Sequence, residues 1–193
     1  QSVKKGVRET GGTPREFCTI TVTDGIAMGH EGMKSSLISR EIIADSAELT
    51  VRGHCYDALV GIAGCDKSLP GLMMSMLRLN VPSVFIYGGS ILPGKFKGKD
   101  VTVVDVFEAV GKHSAGTMSS EELKELELVA CPSAGACGGQ FPANTMACVS
   151  EAIGLALPYS AGTPAPYEER DKYAYQSGQT VMNLIEKNIK PRD

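Results

Sequence analysis

The sequence predicts an α/β fold, a three-layer α/β/α domain with a mainly parallel sheet. Two apolar, β-branched runs carry the prediction, residues 58–62 and 82–87, each leading into a Gly-containing loop. Between them the Met-rich stretch 72–79 reads as a helix, so the segment follows the strand, turn, helix, strand order of such sheets. The first run ends at Ala63-Gly64-Cys65-Asp66-Lys67-Ser68-Leu69-Pro70-Gly71, where a thiol, a carboxylate and an amine occupy consecutive positions. Three such groups make little sense as packing, and open α/β sheets collect ligands at the C-terminal ends of their strands, beside helix N-termini.

The other elements follow in order. Residues 1–15 are polar, with Lys4, Lys5 and Arg8 on the tail of a helix that Thr13-Pro14 breaks. Residues 17–22 read as a β-branched strand ending at Thr23-Asp24-Gly25, which sets a further carboxylate at a strand end; an Asp before Gly is also an ordinary turn or cap residue. Leu37, Ile42, Ile43, Leu49 and Val51 recur at helical spacing between positions 35 and 52, and His54 closes that helix as a cap. Residues 101–104 read as a short extended piece and 105–113 as a helix with a surface His113 at its end. Ser119-Ser120-Glu121-Glu122 supplies an N-cap and an acidic first turn for a helix that stops at Cys131-Pro132. An apolar helix is expected over 144–157, then a Pro-rich linker, then an amphipathic helix over 167–188 in which nothing reads as catalytic. By domains, 1–12 form a polar N-terminal segment, 13–160 the α/β domain, and 161–193 the linker and C-terminal helix.

Composition excludes several classes. A chain of 193 residues with a formal charge of −3 suits one ordinary domain, or one cut from something larger, and has no basic run for nucleic acid. No apolar run approaches the length of a bilayer, and no hydrophobic signal region follows Lys4 and Lys5, so a soluble protein is expected. The first residue is Gln1 rather than Met, which suggests a processed product or a fragment. Six cysteines in a chain of this length, without a secretory signal, favour reduced thiols in the cytoplasm, or in an organellar stroma or matrix. Cys18, Cys55 and Cys148 are expected as small buried hydrophobes. Cys65 and Cys137 lie in Gly-rich loops and call for another explanation.

Two motifs are decoys. His30-Glu31-Gly32-Met33-Lys34 begins like a zinc-protease HExxH, but Lys34 stands where the second histidine belongs. Gly89 to Lys95 matches G-x-x-x-x-G-K, yet Phe96 replaces the Ser or Thr that would hold magnesium, and a loop follows where a helix is needed. Cys131 and Cys137 are separated by five residues, which is not the C-x-x-C of a zinc ribbon or thioredoxin site.

Three segments together, Thr23-Asp24-Gly25-Ile26-Ala27-Met28-Gly29-His30-Glu31-Gly32-Met33, Gly64-Cys65-Asp66-Lys67-Ser68-Leu69-Pro70-Gly71 and Cys131-Pro132-Ser133-Ala134-Gly135-Ala136-Cys137-Gly138-Gly139, closely resemble the dihydroxy-acid dehydratase family, which includes sugar-acid and 6-phosphogluconate dehydratases. The resemblance runs from Gly12 onward, in order and at suitable spacing. It implies an iron-sulfur cluster held by Cys65 and Cys137, and magnesium held by Asp24, Asp66 and a carbamylated Lys67. Lysine in the triplet inclines the cluster toward 2Fe-2S rather than 4Fe-4S. Cys131 offers itself as a fourth ligand, but the motif places the ligand at Cys137.

The implied reaction dehydrates a 2,3-dihydroxy acid to the 2-oxo acid. The stretch Thr163-Pro164-Ala165-Pro166-Tyr167-Glu168-Glu169-Arg170 looks more like the branched-chain amino-acid enzyme than the sugar-acid branch, which implies 2,3-dihydroxy-3-methylbutanoate or its ethyl homologue. By the same resemblance the chain is the N-terminal domain of a larger two-domain enzyme and a homodimer is expected. The first cluster cysteine lies upstream, and the remaining magnesium carboxylate and a serine base lie in a C-terminal domain. No catalytic residue is expected within these residues, which alone would be inactive. A non-catalytic iron-sulfur or zinc module is the alternative of a different class.

Overall fold

The computed structural model describes all residues 1–193. Its sheet is small. Strand β1 (Leu59–Ala63) pairs in parallel with β2 (Ser83–Tyr87), Leu59 opposite Ser83 and Ala63 opposite Tyr87. On the far side of β2, Phe85 N donates to Leu155 O at 2.7 Å, so residues 155 and 156 extend the sheet by a single bridge. Helix α4 (Ser68–Leu79) connects β1 to β2, as a parallel pair requires.

Alternation along the strands builds three layers. Leu59, Ala63, Phe85 and Tyr87 face a core with Ile43, Ala47 and Val51 of α3 (Ser36–Gly53), with Leu72, Met73 and Met76 of α4, and with Ala143 and Ala147 of a later helix, α7 (Pro142–Ala152). Val60 and Val84 face the opposite way, onto Val7 of α1 (Ser2–Glu9) and Val181 of α8 (Glu168–Lys187). The α/β/α architecture is therefore present, around a sheet shorter than most. The remaining elements are α2 (Asp24–Ala27) and a 3-10 turn (Glu31–Ser35), and an antiparallel hairpin of β3 (Gly94–Phe96) and β4 (Lys99–Val101) that shares a small core of its own with helices α5 (Val103–Ser114) and α6 (Ser120–Val129).

Several boundaries differ from the sequence expectation. Residues 17–22 belong to no strand, because the open edge of β1 faces this segment across a cavity of about 930 Å³. Ile62, 60 % exposed, lines that gap. Helix α7 stops at Ala152 rather than continuing to 157; Gly154 turns at φ +78°, and Leu155 N and Ala156 N both donate to Ser150 O. Helix α3 buries Ser36, Ser39, Ile43, Ala47 and Val51, whereas Leu37, Ile42 and Leu49 are exposed, so its apolar residues span two faces.

The cysteines read as buried are exposed. Cys18 lies in the unpaired segment, Cys55 follows the end of α3 at φ +53°, and Cys148 sits on α7 away from its buried Ala143, Ala147 and Ser150. No helix is long and apolar enough to cross a membrane.

Candidate functional site

The site grows from the β1–α4 turn. Gly64 to Lys67 bridge strand and helix, and Cys65 O accepts from the backbone N of Ser68 and Leu69, which winds the first turn of α4 directly after the triplet. The helix thus begins four residues earlier than the Met-rich run suggests, with Pro70 in the first turn, where its missing N–H does no harm. A helix N-terminus offers a favourable field to anionic groups.

The unpaired segment places Asp24. Thr21 Oγ1 lies 3.1 Å from Ser68 Oγ, and the Cys65 thiol is 3.9 Å from Val22 O, so the segment runs alongside the turn. Asp24 then opens α2, almost fully buried, and both its oxygens are engaged. Oδ2 receives the Lys67 ammonium at 2.5 Å and Oδ1 accepts from the Ser36 hydroxyl. Ser36 is a partner that the sequence reading missed; its signal was position, the first residue of a helix twelve residues on.

Asp66 is also buried. Its Oδ1 accepts from Ala143 N at 3.2 Å, in the first turn of α7, and its Oδ2 lies 3.9 Å from the Cys65 thiol. One carboxylate therefore ties the turn to a second helix N-terminus.

The loop of Cys137 closes the site from the other side. Ala136 N donates to Gly89 O at 2.8 Å, and Ile91 N donates to Cys137 O at 2.9 Å. A Cβ on Gly64 would stand 2.9 Å from Cβ of Ala136, so the residues preceding the two cysteines are in contact, and glycine is what permits it. Gly88 N donates to Ala63 O at 2.8 Å and completes the junction between the strand ends.

Cys131 stands apart. It is exposed as a residue, yet its sulfur would lie 3.6 Å from a Cβ on Gly138, and partial burial followed by the neighbouring Cys137 pushes its thiol pKa up. Cys131→Ser in the full-length protein is expected to leave iron and sulfide content unchanged; loss of the cluster would make Cys131 a ligand instead.

Tyr87 and Arg170 belong to the site and were not legible as such. Tyr87 ends β2, and its hydroxyl is fully buried with no hydrogen-bond partner, which costs about 1–3 kcal/mol if nothing satisfies it. Burial, then the charges of Cys137, Asp66 and Cys65, raise its pKa well above the usual tyrosine range, against the opposing pull of Arg170. Arg170, from α8, donates to the carbonyls of Tyr87, Ser160 and Thr163, so the expected linker is fastened to the sheet. Burial lowers its pKa.

The decoys resolve as structure. His30 Nδ1 accepts from Gly32 N and its Nε2 donates to Ile26 O, while Lys34 pairs with Glu31. Gly94 and Lys95 enter a hairpin, with Lys95 on Asp100 at 2.5 Å, and no helix presents its N-terminus behind them.

No three His, Cys, Asp or Glu side chains converge to hold a metal ion by themselves. What the site holds is the buried carboxylate of Asp66 in the turn, that of Asp24 paired with Lys67, and two loop thiols whose neighbours touch. In kind these donors suit magnesium and an iron-sulfur cluster respectively.

An α/β domain with thiols and carboxylates gathered at the C-terminal ends of two parallel strands defines the class. The family model described as dihydroxy-acid/6-phosphogluconate dehydratase N-terminal matches residues 1–193, and the chain belongs to that family. It is 89 % identical over its whole length to a dihydroxy-acid dehydratase of Pelagibacter ubique and 81 % identical to one of Parvibaculum lavamentivorans, covering 34 % of each. A dihydroxy-acid dehydratase of Metallosphaera sedula is 56 % identical, again over all 193 residues and 35 % of that protein. The chain thus spans about a third of the length of the curated relatives it matches.

Proposed function

We propose that this chain is part of a hydro-lyase that removes water from a 2,3-dihydroxy acid, the enol product rearranging to the 2-oxo acid. The observation that carries the reading is the junction at the end of β1, where one turn bears Cys65, Asp66 and Lys67, Asp24 reaches Lys67 at 2.5 Å, and the Cys137 loop packs on Gly64. A cluster on Cys65 and Cys137, 2Fe-2S in preference to 4Fe-4S, would supply Lewis acidity toward the C3 hydroxyl, and magnesium would bind the carboxylate and C2 oxygen.

The chain's own residues account for the rest of this half-site. Asp24 and Asp66 offer buried carboxylate oxygens held in place by Ser36 and by Ala143 N. Lys67, once it gives its proton to solvent, takes up carbon dioxide; the new N–C bond leaves a carbamate and releases a second proton. That change replaces the Lys67–Asp24 ion pair with two anions, an arrangement stable only with a cation beside them. A serine base for the C2 proton, the first cluster cysteine and a further magnesium carboxylate are expected outside residues 1–193.

The relatives' names supply the dihydroxy acid; the stretch from Thr163 to Arg170 favours 2,3-dihydroxy-3-methylbutanoate, a substrate of branched-chain amino-acid synthesis, over a sugar acid. A homodimer is the expected assembly, and the uncovered apolar side chains Ile26, Leu37, Ile38, Ile42 and Leu49 suit association with further protein surface. Reduced thiols fit a cytoplasmic or organellar interior. The full-length protein, purified anaerobically, is expected to contain iron and sulfide and to form the 2-oxo acid from 2,3-dihydroxy-3-methylbutanoate. Turnover of a sugar acid alone would move the substrate assignment, and an intact cluster with no turnover of either would favour a structural iron-sulfur module.

A further inference from the structure

Tyr87 carries a buried polar group at the junction to which neither the fold nor the proposed reaction assigns a role. It pairs with Ala63, two residues before Cys65, and its successors Gly88 and Gly89 bond to Ala63 O and to Ala136 N. Its side chain belongs to the core against which Ala136 and Cys137 pack. The backbone around the ring therefore meets both cysteine loops.

Tyr87 is 1 % exposed, and its Oη–H has no partner. Arg170 cannot serve as the acceptor: its guanidinium lies 5.8 Å from the ring centroid, donates to the Tyr87 carbonyl, and carries only donors. Ser160 Oγ, likewise buried and unpartnered, forms no bond with it. No protein sulfur lies within hydrogen-bond reach of the hydroxyl, but the Cys137 loop packs against the core that holds the ring, and the Tyr87 hydroxyl feels Cys137 ahead of Asp66 and Cys65.

We propose that Tyr87 is a positioning residue that donates its hydroxyl proton to the sulfur group held at Cys137 and thereby sets the electron affinity of the metal centre; the proposal rests on the iron-sulfur reading above. A tyrosine keeps its proton at neutral pH and so remains a donor. A hydrogen bond to sulfur stabilises the more negative, reduced state and raises the reduction potential.

The test is anaerobic redox titration of the full-length protein, wild type against Tyr87→Phe, with iron and sulfide measured on both. Phe keeps the ring and removes the donor. The expected result is equal cluster content with the reduction equilibrium moved about tenfold toward the oxidised form, ~59 mV for one electron. An unchanged potential in a loaded variant would overturn the role of Tyr87 and leave the iron-sulfur reading standing. A wild-type protein without iron and sulfide would instead remove that reading, and this proposal with it. Should Tyr87→Phe fail to retain its cluster, 3-fluorotyrosine at position 87 decides: the more acidic phenol should raise the potential, and no change would refute the hydrogen bond.

Discussion

Asp66→Asn in the full-length protein is expected to abolish turnover, by about 10³-fold or more, while leaving the cluster's visible absorption nearly intact. The size follows from the several kcal/mol of charge stabilisation that a metal-bound site supplies, at tenfold per 1.36 kcal/mol. Asn is the informative replacement because of what Asp66 does structurally. Its Oδ1 accepts from Ala143 N at the start of α7, and an amide oxygen can keep that bond. The substitution thus removes the charge and retains the cap, at a cost of a few tenths to about 1 kcal/mol from the helix field. Circular dichroism and thermal melting should change little. Loss of the cluster together with activity would show that Asp66 matters for the fold of the thiol site, which is what a structural module would require.

Gly94→Ala is expected to destabilise the domain by about 3 kcal/mol, at the upper end of what overpacking costs. A Cβ at this position would stand 1.6 Å from Val129 O and 2.7 Å from its carbonyl carbon, both backbone atoms, so no side-chain rotation relieves the clash. Hairpin and helix must separate, and with them Val101, Ala109, Leu126 and Ala130 of the small core beneath. For a domain of this size the melting temperature should fall by roughly 6–12 °C. The effect should reach the thiol site, because α6 ends at Val129 and the loop bearing Cys137 begins immediately after. A melting temperature within a degree of wild type would contradict the packing of β3 on α6.

Local pattern was enough for the elements that make their own case. The runs that became β1 and β2, the cap of α6 at Ser119 and the span of α8 were all readable, because apolar period and capping chemistry act over a few neighbouring residues. Where the pattern failed, a distant partner decided. Residues 17–22 have strand composition but stand across a cavity from the open edge of β1 and pair with nothing, and Leu37, Ile42 and Leu49 have helical spacing without a surface above them.

The same division holds for the site. Residue order alone puts Cys65, Asp66 and Lys67 in one turn at the end of a strand, since adjacency along the chain is all that requires. It also singled out Asp24 and Cys137 through the family motifs. Packing was needed to bring Asp24 to Lys67 across 43 positions, to set Asp66 on the first turn of α7, to press the two cysteine loops together at Gly64 and Ala136, and to bury Tyr87 beside them without a partner. Those contacts join groups far apart in the chain, and burial, which gives each of them its chemistry, is a property of the packed layers rather than of any local run.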